Sequence, residues 1–94
     1  MENYVCRVDD VVWRKIGDEI VVITDDGRSV HVLNKTAAHV WEMCNGEARV
    51  DTIADSLCER FEVTQGEAKA DVRTILEKLE TLGLLQKNVE ESGR

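Results

Sequence analysis

The sequence predicts an α+β fold of the winged helix-turn-helix type, in which a three-stranded antiparallel sheet is followed by three helices. Three observations lead to this prediction. The first third of the 94-residue chain contains β-branched and alternating stretches, and the remainder contains apolar residues at helical spacing. The change of period falls inside a single run, VHVLNKTAAHVWEMCNG. Proline is absent, so the turns must depend on Gly, Asn and Asp.

Three stretches in the first third are predicted to be strands, at residues 11–16, 19–24 and 28–33. They are rich in valine and isoleucine, which favour strands. Asp26-Gly27 lies between the second and third stretches, and Asp-Gly is typical of a two-residue hairpin loop because both residues tolerate positive φ. This loop sets a register with Thr24 opposite Ser29, Ile23 opposite Val30, and Val21 opposite Val32.

The third strand is expected to combine a buried face with a free edge. Val30 and Val32 point to the same side and are predicted to hold the strand on the core, with His31 on the opposite face. The free edge of such a strand can accept an extended peptide through main-chain hydrogen bonds. The long third helix would form the second wall of a groove. Alternatively, another strand or a second copy of the chain covers this edge.

Three amphipathic stretches in the remainder predict helices at residues 35–44, 52–61 and 65–82. A polar residue that can cap the first turn precedes each of them. A glycine that can terminate a helix follows the first and the third. The predicted capping residues are Asn34 and Gly46 for the first helix, Asp51 for the second, and Thr64, Glu67 and Gly83 for the third, where Thr64 and Glu67 form a capping box.

Length and charge restrict the domain organisation and the partners. We expect one domain, residues 1–94, with a core at residues 7–87 that includes a short extended segment at 84–87. Residues 88–94 are expected to form a flexible polar tail. The net charge of −7 argues against nucleic acids and anionic membranes as partners, because basic residues supply most of the attraction to either one.

The cysteines and histidines do not indicate catalysis or metal binding. The three cysteines are odd in number and lack CxxC spacing, so we expect reduced thiols in a cytoplasmic protein. Neither His31 nor His39 has a second metal ligand at a suitable spacing. The first residues lack a basic region followed by an apolar run, so we expect no signal peptide, and no apolar stretch approaches the length that spans a membrane. The sequence thus predicts no enzyme activity, no metal and no cofactor.

The second and third predicted helices resemble a helix-turn-helix, for which the hairpin would act as a wing. A DNA-reading helix presents basic and amide side chains to bases and phosphates. At the start of the third helix, the negative charges of Glu67 and Asp71 offset the positive charges of Lys69 and Arg73. This charge balance argues against DNA binding by the helix. Three functions stay open at this point: a peptide-binding protein, a winged-helix DNA-binding regulator, and an interaction or dimerisation module.

Three runs of the sequence carry a family resemblance: VHVLNKTAAHVWEMCNG, VDTIADSLCERF and ADVRTILEKLETLGLL. In this order they resemble the PqqD family over about residues 7–86. The resemblance implies a peptide chaperone, or precursor-peptide recognition element, that binds the leader of a ribosomally made peptide. Such a protein presents the leader to a modifying enzyme, often a radical S-adenosylmethionine enzyme, as in the biosynthesis of pyrroloquinoline quinone or a related product.

The resemblance also implies a location for the leader, which would pair antiparallel with the third strand and lie against the third helix. This position coincides with the groove expected from the residue pattern. The expected partners are the leader peptide and the modifying enzyme, with a homodimer as a further possibility. The candidate peptide-binding residues are Arg28, Ser29, Val30, His31, Val32 and Leu33 on the strand, and Asp71, Ile75 and Lys78 on the helix.

Overall fold

The computed structural model describes residues 4–24 and 27–86 of the chain. It confirms the α+β class, with a three-stranded antiparallel sheet and three helices, and adds a second sheet of two strands. None of the helices in this described part combines the length and apolar character that a membrane span requires. In chain order the elements are β1 (Tyr4–Cys6), β2 (Val12–Ile16), β3 (Glu19–Thr24), β4 (Ser29–Leu33), α1 (Lys35–Met43), β5 (Asn45–Arg49), α2 (Val50–Phe61) and α3 (Gln65–Thr81).

The three-stranded sheet has the order β2-β3-β4, and both of its ladders are antiparallel. The predicted hairpin register is confirmed, with Ile23 opposite Val30 and Val21 opposite Val32. Gly27 has a φ of 93°, which is a left-handed conformation that glycine adopts without strain. The other residue of the predicted loop, Asp26, lies outside the described residues.

The predicted burial of β4 is wrong. Val30 and Val32 are 57% and 62% exposed, because they lie on the outer face of the sheet, away from the helices. The inner face is defined by the buried residues Ile20 and Val22 of β3, whose partners on β4 are Leu33 and His31. Since β3 has apolar residues on both of its faces, the residue pattern does not reveal which face the helices cover.

The two-stranded sheet, in which β1 pairs antiparallel with β5, was not predicted. It changes two predicted helix ends. Cys44, not Gly46, is the C-cap of α1, and Gly46 lies in β5 with a φ of 87°. Arg49, not Asp51, precedes α2, which therefore begins two residues earlier than predicted. The sequence of β5, NGEAR, has no apolar alternation, so its strand conformation depends on pairing with the distant β1.

Local hydrogen bonds fix the starts of α1 and α3 as predicted. The Asn34 side chain accepts a bond of 2.9 Å from the backbone N–H of Ala37. At α3, the Thr64 hydroxyl accepts from the N–H of Glu67 at 3.1 Å, and the Glu67 carboxylate accepts from the N–H of Thr64 at 3.2 Å. This reciprocal pair is the predicted capping box, and it satisfies two N–H groups that the helix leaves unpaired.

The core consists of two apolar clusters that meet at Ile75 and Leu85. One cluster lies among α1, α2 and α3, and the other joins β3 and β4 to α1 and α3. The predicted extended segment after α3 is present as far as it is described, with Leu84 buried and Leu85 in a β-bridge with Arg7. Lys87 and the predicted tail at 88–94 lie outside the described residues.

Trp41 of α1 belongs to the second cluster and is fully buried, so it packs α1 under the sheet. The ring of Trp13 meets it edge-on at a centroid distance of 6.0 Å. The Arg7 guanidinium lies 5.0 Å from the Trp13 ring centroid and donates to the carbonyl oxygen of Trp41 at 2.8 Å. A side chain of the N-terminal segment thus provides a hydrogen-bond donor for a carbonyl group in the last turn of α1.

Candidate functional site

The edge of β4 that faces away from β3 is free of strand pairing in the described part of the chain. In an antiparallel strand, alternate residues direct their N–H and C=O groups to opposite sides. Half of the main-chain groups of β4 therefore point toward this edge, where an additional strand can accept and donate hydrogen bonds.

A groove of about 650 Å3 runs between β4 and α3 beside this free edge. Seven of the nine predicted site residues line the groove, and the structure therefore brings together two segments about 40 residues apart in the sequence. The first turn of α1 also contributes to the groove. The lining residues are Val30, His31, Val32, Leu33, Asn34, Thr36, Ala37, Asp71, Thr74, Ile75, Lys78, Leu79 and Leu82.

The groove has an apolar floor and a polar rim. Leu33 and Leu79 are buried at its base, and Ile75 is half-buried between the two core clusters. Asp71 and Lys78 are exposed on α3, seven residues apart. Such a groove favours an extended segment with apolar side chains toward the floor and with charged or polar groups near the rim.

The two walls of the groove run in opposite directions. Leu79 packs in one cluster with Leu33, which is at the end of β4. Leu82, the C-cap of α3, lines a neighbouring cavity together with Ser29 at the start of β4. A peptide antiparallel to β4 would therefore run in the same direction as α3.

Two of the predicted residues do not line the groove. Arg28 lies in the turn before β4, and Ser29 lines the neighbouring cavity of about 400 Å3. Sequence reasoning missed Thr74 and Leu79 of α3, and its C-cap Leu82, as groove residues. Their spacing contained the signal, because positions three or four residues from Ile75 or Lys78 share a helix face.

The described residues also contain side chains that metal ions or thiol chemistry would use. No group of three or more His, Cys, Asp or Glu side chains in these residues could hold a metal ion. All three cysteines are free thiols. Burial raises the pKa of Cys44 to about 12, so this thiol is protonated at neutral pH and is a poor nucleophile.

His39 lies in a second cavity, away from the groove, and is expected to make stability depend on pH. Its Nε2 lies 2.7 Å from the Ser56 hydroxyl oxygen. Burial, followed by the nearby Arg60, lowers the pKa of His39 below its ordinary value of 6.5. The unfolded chain therefore binds this proton more readily than the folded protein, and the free energy of unfolding falls as the pH decreases through 6.5.

This dependence can be measured by urea unfolding at pH values of about 7.5 and about 5.5. We expect a lower free energy of unfolding at the acidic pH. We expect the difference between the two pH values to be smaller for the His39→Asn variant than for the wild type. If both proteins showed the same pH dependence, the desolvated imidazole would not be its source.

Two solved structures have a similar fold. One, "TbiB1 in Complex with the TbiA(beta) Leader Peptide", matches with a TM-score of 0.78 and 24% identity, and covers 90% of this chain and 99% of that chain. The other, "Lasso peptide synthetase B1 complexed with the leader peptide", matches with a TM-score of 0.75 and 20% identity. This match covers 89% of this chain and 99% of that chain. At these identities the likeness establishes the fold.

A search of curated proteins found no match. The sequence model of one protein family, described as "Coenzyme PQQ synthesis protein D (PqqD)", matches residues 19–85. The match includes β3, β4, all three helices and every residue that lines the groove. It agrees with the resemblance carried by the three sequence runs, and it extends over more than half of the chain. The chain belongs to the PqqD family.

Proposed function

We propose that this chain is a non-catalytic chaperone that binds the leader of a ribosomally made precursor peptide and presents it to a modifying enzyme. The observation that carries the proposal is the juxtaposition of the free β4 edge with the apolar groove beside α3. Membership of the PqqD family supports it. The two similar structures support it as well, since both are complexes with leader peptides.

The leader binds as a fourth strand, antiparallel to β4. Main-chain hydrogen bonds to the free edge contribute affinity that does not depend on the leader sequence, at about 1 kcal/mol for each bond. Alternate side chains of the leader enter the groove and supply specificity through Ile75 and Leu79. The candidate binding residues are the nine named from the sequence, together with Thr74 and Leu79 on α3 and Leu82 at its C-cap.

The direction of the leader follows from antiparallel pairing with β4, which the family resemblance implies. Its N-terminal end lies near Leu33 and the first turn of α1, and its C-terminal end lies near Ser29 and Leu82. The part of the precursor that is to be modified leaves the chaperone at this second end. The modifying enzyme, which the family resemblance indicates to be a radical S-adenosylmethionine enzyme, acts on it there. The free thiols fit a reducing compartment such as the cytoplasm.

An amide chemical-shift titration tests this function. The labelled protein is titrated with a synthetic leader from the short reading frame nearest to its gene, and in parallel with random duplex DNA. We expect shifts with the leader at residues 29–33 and on the groove side of α3, and none with DNA. Salt-dependent shifts with DNA at the start of α3, without any shift from the leader, would instead support a DNA-binding regulator.

A further inference from the structure

The outer face of the three-stranded sheet exposes four large apolar side chains. Four of the six large hydrophobic residues that are exposed in the described part lie on it: Val12 (61%), Ile16 (61%), Val30 (57%) and Val32 (62%). Strand pairing arranges the face in rows across the sheet. One row is Val12, Ile23 and Val30, and the next is Arg14, Val21 and Val32.

The charged groups of this face lie away from the β4 edge. Arg14 is on β2, two strands from the edge, and Glu19 is on β3, opposite Ile16. Along β4 the residues on the outer face are Val30 and Val32 alone. Any strand added to β4 therefore has only apolar neighbours on the outer side.

Val30 and Val32 also line the groove together with residues of α3, so the groove runs directly along the edge of β4. A bound strand directs successive side chains to opposite faces of the sheet. One set enters the groove over Ile75 and Leu79, and the other set lies beside Val30 and Val32. Cross-strand contacts between β-branched and other apolar side chains stabilise a sheet, and here they also remove two exposed valines from water.

We propose that the peptide segment recognised by this chain is apolar on both faces, and that the outward side chains are selected by Val30 and Val32. The inference rests on the proposed function and specifies its ligand: an extended segment of about five residues with apolar side chains at successive positions. A leader that alternates apolar and polar residues fills the groove but leaves the two valines exposed.

A selection from a phage-displayed library of random nonapeptides tests this proposal. Three proteins are compared: the wild type, the double variant Val30→Thr with Val32→Thr, and a control with Val12→Thr and Ile16→Thr. The control changes two residues of similar exposure on the same face, but on β2, the far edge. Threonine retains the β-branched shape and adds a hydroxyl group, so strand propensity is preserved while the surface becomes polar.

We expect peptides selected by the wild type and by the control to be apolar at both odd and even positions. Peptides selected by the β4 variant should keep apolar residues at only one of these two sets of positions, either the odd or the even ones. A peptide from the wild-type selection should bind the β4 variant about fivefold or more weakly, and the control as tightly as the wild type.

The wild-type selection is informative even if the β4 variant fails to fold. Peptides that are apolar in one phase and polar in the other would contradict this inference and leave the proposed function intact. The same is true if the β4 variant and the wild type select the same residues. If no peptide were enriched by any of the three proteins, both the inference and the proposed function would be wrong.

Discussion

Replacement of Trp41 by alanine is expected to lower the free energy of unfolding by about 3–5 kcal/mol, which is the largest effect of any single substitution considered for this chain. The side chain is fully buried and contacts the sheet, α1 and α3 in one cluster. Its removal leaves a cavity that the surrounding elements fill only in part. The Trp13 ring and the Arg7 guanidinium would also lose the aromatic surface against which they lie.

Urea unfolding, followed by circular dichroism, measures this effect. Trp13→Ala is the matched control, since it removes the same side chain from a half-buried position in the same cluster. We expect its effect to be clearly smaller than that of Trp41→Ala. An unchanged unfolding midpoint for Trp41→Ala would show that α1 does not pack under the sheet through this residue.

Replacement of Thr74 by tryptophan is expected to weaken peptide binding strongly without loss of the fold. Thr74 is exposed on α3 and lines the groove, so the larger ring would occupy the space that the leader needs. Exclusion of the added strand removes at least three main-chain hydrogen bonds at about 1 kcal/mol each, which corresponds to a loss in affinity of about 100-fold or more.

Fluorescence anisotropy with a labelled leader measures the affinity, and circular dichroism verifies the fold. Arg73→Trp is the control, because it adds the same ring to the adjacent residue of α3, which is exposed and lines none of the described cavities. We expect this control to bind as the wild type does. If Thr74→Trp retained full affinity, the leader would have to bind elsewhere on the chain.

Features that depend on near neighbours in the sequence were predicted correctly. Asn34 and Thr64 cap their helices with groups three residues away, and the hairpin register follows from the short loop between β3 and β4. In each case, the residues that form the interaction are close enough for their spacing to specify its geometry.

Features that depend on distant pairing were missed or assigned wrongly. β5 has a polar sequence and becomes a strand only through its pairing with β1, about 40 residues earlier. Gly46 was therefore interpreted as a helix cap, although it lies in a strand opposite the N-terminal segment. Arg7, which satisfies the end of α1, gave no sequence signal because its partners are the main-chain oxygens of Trp41 and Glu42.

The sequence by itself determined the α+β class, the three helices, the hairpin and the family. Tertiary structure decided which face of the sheet is buried. β3 has apolar residues on both of its faces, so the sequence does not show which face is buried. In the folded protein Ile20 and Val22 pack against the helices, and Val30 and Val32, on the opposite face of the sheet, are exposed. It also formed the groove, because a site between β4 and α3 exists only once the core has placed these two segments side by side. Local periodicity specifies elements, whereas burial is a property of how the elements pack.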